Sequence, residues 1–505
     1  MTVKEESAAF PDIVVSTEAG KVRGRIADGA VSFLGIPYAA APIGSLRFQA
    51  PQPHGMWDGI RDCSEYGPTA PQPVQRMPLI PEPLIDGDEY LNLNIFAPAG
   101  ASKAPVIVWI HGGGFISGCN RSPWFRGHRF AQDGVILVAI NYRLGAEGFM
   151  PMRGAPGNRG VLDWIAALRW VGDNISAFGG DPANVTIAGQ SAGAIACTYL
   201  ATIPEAKGLF HRLIGMSGSI GFGMSEEAAG TIAATFREAL GVSDDAAEMA
   251  AVPISRFIET QAKIGGGGEG GELPMPNVIA GQMGQGLLFQ PVIDGELITQ
   301  SAARSIVEGA GADIPMMLSC TAHEFDFTTA IPDIPYTTDD LAVGLGLLGF
   351  VPQDIEAYTA LRKDLSPTTA IGRAVSDKYF RARTIEMAEI RISAPQPTFL
   401  SEFRWSPSPP VPGTFGACHC IDVPFAFDVL DDPDVARFCG NSPPQNLATQ
   451  LHGSFVNFAK RGDPGWAPYR EGSRVAMVLD ASIAERRDAF QAERAVWSKL
   501  SWVRA

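Results

Sequence analysis

The stretch VTIAGQSAG, residues 185–193, is a short β-type run that stops at Gly189-Gln190-Ser191-Ala192-Gly193 and passes into the helix-compatible AIACTYLAT. A serine on a sharp strand-to-helix turn exposes its hydroxyl and turns the following backbone amide toward the same space, the geometry a nucleophilic serine requires. Gly189 and Gly193 permit a strained turn and a close approach of neighbouring chain. With 56 glycines in 505 residues, a bare Gly-x-Ser-x-Gly arises by chance on the order of a few tenths of a time. The flanking strand and helix therefore carry the reading, and Ser191 is the expected nucleophile.

Toward the N-terminus, VIVWI (106–110) runs straight into HGGGF (111–115). Bare glycine backbone after a strand can aim N–H groups at developing negative charge. Gly113 and Gly114, together with Ala192, are the expected oxyanion donors. His111 precedes the nucleophile, whereas hydrolases built on this turn run Ser, then Asp or Glu, then His. It reads as a packing and hydrogen-bonding residue.

Toward the C-terminus, that order leaves His211, His323, His419 and His452. His211 and His452 lie in helix-compatible segments, while His419 follows FLSEFRW (399–405) through a long Pro- and Gly-rich loop, from which a base can hang over the sheet edge. His419 is the expected base. The orienting carboxylate should follow an intermediate strand, and PMMLSC (315–320) leads into TAHEFD (321–326), which offers Glu324 and Asp326. Spacing alone does not choose between them. Either would hold the imidazole in the tautomer that accepts the serine proton and would stabilise the resulting imidazolium. Such a site needs no metal and no organic cofactor. Cys418 and Cys420 flank His419, but zinc sites want wider spacing and a second ligand cluster, which the sequence lacks. A histidine base predicts a rate that falls on the acid side of neutrality.

The whole chain is 46% hydrophobic and 18% charged, the composition of a globular protein with ample core. Its formal charge of -15 would repel nucleic-acid phosphate and anionic lipid, so nucleic acid is not an expected partner. The clearest apolar runs, Val106 to Ile110 and Val135 to Ile140, fall far short of the roughly 20 residues that span a bilayer, so no membrane anchor is expected. The opening MTVKEESAAF lacks the pattern of a secretory signal, and the 7 cysteines at irregular spacing make a poor disulfide framework. These features predict a cytoplasmic protein.

Strand-like runs at 106–110, 135–140, 185–188, 316–318 and 399–405 alternate with helical spacing or long loops. That alternation predicts an α/β fold with a mostly parallel central sheet flanked by helices. Helices are expected over Val161 to Ala177, from Ala192, and over Asn446 to Lys460 before Gly462 and Pro464. The Pro-rich stretches at 71–83 and 406–412 are too short for linkers, so a single domain over 1–505 is expected. GGGGEGG (265–271) reads as a mobile loop.

The segments FLGIPYAAAPIGSLRF (33–48), HGGGF (111–115), NYRLGAEGF (141–149), FGGDPANVTIAGQSAG (178–193), FQPVIDG (289–295), GACHCIDVPFAF (416–427) and FAKRGDP (458–464) together carry a resemblance. The chain resembles the type-B carboxylesterase family of the α/β-hydrolase fold, the group of bacterial para-nitrobenzyl esterases, animal carboxylesterases and cholinesterases. The resemblance implies a serine esterase that cleaves a small-molecule carboxylic ester through an acyl-enzyme. It implies Ser191 as nucleophile, His419 as base, Glu324 rather than Asp326 as acid, and an oxyanion hole from Gly113, Gly114 and Ala192. Large loop and helix insertions in the sheet come with it. Carbamate or amide hydrolysis by the same triad, or a non-catalytic binding module on the same fold, are the alternatives, although such modules typically lose the serine or histidine that are both present here.

Departures from the family pattern are specific. Gln190 stands where Glu is usual, a variant associated with bacterial members. Tyr90 replaces a cysteine whose usual partner position is Ala70. The family ion pair of the LRF arginine maps to Arg47 and Asp88. Ser319, His323 and Phe325 stand where Gly, Asp and Gly are expected, and Phe325, like Phe115 and Phe327, is a candidate pocket wall. Net acidity favours an uncharged or weakly polar ester.

Overall fold

Runs of valine and isoleucine that are buried on both faces build the centre of the sheet, the pattern expected where helices cover both sides of parallel strands. The computed structural model describes residues 12–27, 29–74, 79–265, 287–326, 336–411 and 416–500. Its main strands are β1 (Asp12–Ser16), β2 (Lys21–Ala27), β3 (Ala30–Pro37), β4 (Asn92–Pro98), β5 (Ala104–Ile110) and β6 (Ile136–Ile140), then β7 (Gly180–Gln190), β8 (Arg212–Met216), β9 (Met316–Thr321), β10 (Thr398–Phe403), β11 (Ala476–Leu479) and β12 (Ala484–Arg486). They are ordered β1-β2-β3-β4-β6-β5-β7-β8-β9-β10-β11-β12, with Ile60–Asp62 pairing onto β2.

From β6 across to β11 every neighbour runs parallel, in registers such as Val108 opposite Val138 and Ile187. The first four strands and β12 pair antiparallel at the two ends. The mostly parallel core matches the sequence reading, and each expected strand lies within or next to one of these elements. Helix α1 (Arg159–Asn174) ends three residues early because Ile175–Phe178 tightens into a 3-10 turn before Gly179. Helix α2 (Ala192–Leu200) follows β7 directly. Helix α3 runs from Pro367 to Ser376 and, after a π turn at Asp377–Arg381, from Ala382 to Ile390, and α4 covers Gln445–Arg461. Among the described residues no helix is long and apolar enough to cross a membrane.

Two expectations are corrected. His211 is not helical: it enters β8, donating its backbone N–H to Val185 O at 2.7 Å while its Nδ1 accepts from Val185 N–H at 3.2 Å. Arg47 does not pair with Asp88. Its guanidinium meets Glu147 at 2.9 Å and the carbonyl of Ala250, and Tyr90 donates to the other Glu147 oxygen at 3.1 Å. The tyrosine that replaces the family cysteine thus completes a buried Arg-Glu-Tyr group, while Asp88 stays exposed. All 7 cysteines are buried and none forms a disulfide. Gly265 closes the helix Ile254–Ile264, and the rest of 265–271, like Phe327, lies outside the described residues.

Candidate active site

β5 lies between β6 and β7, so the connection that leaves β5 runs to β6 on one side while the connection that leaves β7 runs to β8 on the other. In open α/β sheets the carboxyl ends of strands at such a reversal form a crevice. β5 empties there into His111–Gly114, and β7 into Ser191. Ser191 sits at φ 57, ψ -124, backbone that L-residues avoid at a cost of roughly 1–3 kcal/mol. Three hydrogen bonds hold it: its N–H donates to Met216 O at 2.8 Å, and its carbonyl accepts from Ala194 and Ile195 at 2.9 and 3.0 Å. A side chain at Gly193 would collide with the carbonyl of Ile110, which explains the glycine after the turn.

Gly113 and Gly114 adopt φ 104 and φ 61, and the Gly113 carbonyl accepts from Ile116 and Ser117, at 3.1 and 3.0 Å. The N–H groups of Gly113, Gly114 and Ala192 have no acceptor among the described residues. Ala192 opens α2, so its amide also carries the positive end of the helix dipole. Three backbone donors beside one serine can stabilise an oxyanion. His111 takes no part: it stacks on Tyr142 at 4.5 Å, its Nδ1 meets Gly112 O at 2.8 Å, and burial pushes its pKa down to about 4.

The loops that carry Glu324 and His419, which follow β9 and β10, meet each other, with the His419 N–H donating to Glu324 O at 2.8 Å. His419 Nδ1 lies 2.6 Å from Glu324 Oε2, and both side chains are buried. Glu324 Oε1 accepts the Thr321 N–H at 2.7 Å. His323 ties the loops together, donating its N–H to Ala417 O at 3.0 Å and accepting the Ala417 N–H on Nδ1 at 2.9 Å. Asp326 is committed elsewhere: Arg373 donates to it from two nitrogens at 2.6 and 2.9 Å, and Ser376 Oγ donates at 2.6 Å. Geometry therefore separates two acids that spacing could not. With its proton on Nδ1, His419 presents a bare Nε2, which meets Gln190 Nε2 at 3.1 Å rather than the Ser191 hydroxyl.

Gly113, Gly114, Gln190, Ser191 and His419 line a cavity of about 110 Å³ whose walls include Ile116, Ile195, Phe222, Leu287, Phe325 and Phe380. Phe325 and Phe380 both pack on the His419 ring, with centroids 4.6 and 4.8 Å away. The π turn in α3 brings Phe380 there, a placement helical periodicity does not forecast. Phe115 instead packs on Phe149 and Trp164 in the core. A larger cavity of about 580 Å³, lined by Tyr38, His54 and Trp170, contains none of the candidate residues. Two acids escaped the sequence reading. Glu82 lines the small cavity, and Asp422 lies three residues after His419; burial pushes each up to about 8, with Glu324 adding to the rise at Asp422. Glu82 lies in no recognisable motif, and Asp422, although inside GACHCIDVPFAF (416–427), has nothing in its spacing that singles it out. Among the described residues no group of three or more His, Cys, Asp or Glu side chains could hold a metal ion.

A sequence model of the carboxylesterase family matches residues 11–342. The chain is similar to the para-nitrobenzyl esterase of Bacillus subtilis (strain 168), with 32% identity over 95% of this chain and 97% of that protein. It is 35% identical to the phenmedipham hydrolase of Pseudarthrobacter oxydans, over 94% of this chain and 96% of that one. The crystal structure of a Geobacillus stearothermophilus carboxylesterase superposes with a TM-score of 0.83 at 31% identity, covering 96% of this chain and 99% of that one.

Proposed function

Since the chain belongs to the carboxylesterase family and is a carboxylic-ester hydrolase, we propose that Ser191 is its nucleophile, His419 its base and Glu324 the acid behind the base. The observation that carries this reading is the 2.6 Å contact of Glu324 with Nδ1 of His419, whose ring lines the same cavity as Ser191. As Ser191 Oγ attacks the ester carbonyl, its proton passes to His419 Nε2, and the carbonyl oxygen gains charge facing the N–H groups of Gly113, Gly114 and Ala192. The imidazolium then gives its proton to the departing alcohol. Water repeats the sequence in reverse and frees the acid. Glu324 orients the ring and balances the transient imidazolium.

The cavity volume bears on substrate size. At about 110 Å³ it is smaller than the roughly 150 Å³ engineered cavity that holds benzene, so it suits a short acyl group. Across para-nitrophenyl esters, kcat/KM should peak at the acetyl-to-butanoyl end and drop about tenfold or more at octanoyl, since unaccommodated methylenes lose their burial energy. A flat profile would sink the size reading. The relative named for phenmedipham hydrolysis makes phenmedipham a second substrate to try.

Seven buried cysteines outside any disulfide support a reducing, cytoplasmic setting. Fractionation of the source cells should recover the activity with the cytosol, and recovery outside the cytoplasmic membrane would contradict this.

A further inference from the structure

Gln190 ends β7, paired with Met216 of β8, and its side chain is 1% exposed. Its position is thus fixed by the sheet one residue before the nucleophile. With His419 Nδ1–H donating to the Glu324 carboxylate, an N–H is what can face Nε2, and this orients the amide with its nitrogen toward the ring at 3.1 Å. The other end, Oε1, is buried as well, and the amide also meets the Cys420 thiol. A buried polar side chain is costly unless its groups are engaged, so the contacts to the ring and to the thiol fix the orientation of the amide.

We propose that Gln190 is a positioning residue for the base: its uncharged amide holds His419 with the proton on Nδ1, and it keeps ester hydrolysis running at lower pH than a carboxylate in the same place would allow. This rests on His419 being the base. The groups around the imidazole make the charge of residue 190 matter. Glu324 faces Nδ1, Phe325 and Phe380 cover the ring, Cys418, Cys420 and Asp422 share its turn, and Glu82 lines the same cavity. Burial pushes Glu82 and Asp422 up to about 8, so both are largely neutral in the acid range. Glu324 then supplies the nearby negative charge alone among these groups. A second carboxylate touching Nε2 would favour the imidazolium, which cannot accept the Ser191 proton. The amide itself yields its place on Nε2 when the serine hydroxyl is driven onto it by bound substrate.

The test compares pH profiles of kcat/KM on a neutral short-chain ester for wild type, Gln190→Glu and Gln190→Met. For Gln190→Glu the acid limb should move up by about one pH unit, so that the ratio of rates at about pH 6 and about pH 9 falls about tenfold against wild type. For Gln190→Met, which fills the space without a donor, kcat should drop about fivefold or more at every pH with KM little changed and no upward shift of the limb. A Gln190→Glu profile that superposes on wild type, or a Gln190→Met enzyme with wild-type kcat, overturns the proposal. The methionine variant decides alone if the glutamate variant does not fold. His419→Ala serves as control: if it stays active the base assignment fails, whereas an inactive control with an unmoved Gln190→Glu profile defeats this inference only.

Discussion

Ser191→Ala should lower kcat on a para-nitrophenyl ester by about 10⁴-fold or more while leaving the fold intact. The substitution removes one oxygen. The hydrogen bonds that hold residue 191 at φ 57 all run through its backbone, to Met216 and from Ala194 and Ile195, and alanine keeps them. What disappears is the atom that must carry the acyl group, and no neighbouring group replaces it. Cys420 lines the same cavity, but burial raises its thiol far above the ordinary range, so it supplies almost no thiolate. Steady-state rates and a thermal melt on the same preparation check both halves. An Ser191→Ala protein with more than about a hundredth of wild-type activity would remove Ser191 from the mechanism.

Asp377→Ala should be the most damaging single change to stability. Asp377 lies in the π turn of α3, fully buried, and its carboxylate accepts from Tyr358 at 2.7 Å and Arg362 at 2.6 Å and pairs with Arg381, which in turn pairs with Glu402 at 2.7 Å. Burial alone would raise its pKa, yet Arg362 and Arg381 together hold it below the ordinary value. Removing the carboxylate leaves two guanidinium groups poorly compensated in the interior, which costs about 3–5 kcal/mol. The same carboxylate gives a sign for acid. Its contribution is present above the unfolded value of 3.8 and is lost as the pH falls through the lower folded value. Urea unfolding near neutral pH reads the cost, and a loss under about 1 kcal/mol would show that the network is not holding the turn. Because this turn carries Phe380 onto His419, activity should fall with stability.

How far the sequence could be read depended on how local the determinant was. The Ser191 elbow and the glycine turn at 111–114 are each a few consecutive residues beside a buried strand, and they are legible because strand, turn and helix onset lie in one window. The proposed base, His419, is reachable through chain order. The proposed acid is not: Glu324 and Asp326 share one turn, and what separates them is Arg373, about fifty residues on, which engages Asp326. Arg47 finds Glu147 rather than Asp88 for a similar reason, since Tyr90 and the carbonyl of Ala250 converge on that group from distant segments. His211 reads as helical because a residue just before a strand carries little periodicity of its own. Phe380 reaches the cavity through a π turn, and Glu82 through a proline-rich loop, and neither has a repeating pattern that a sequence displays.

The most direct test of the central claim is to trap the intermediate with a slowly deacylating ester, digest the protein and locate the added acyl mass. The account predicts one acyl group per chain on the peptide containing Ser191, formed in wild type and absent from Ser191→Ala. An acyl group found on another residue, or turnover in which no acyl-enzyme forms while the ester is consumed, would contradict it.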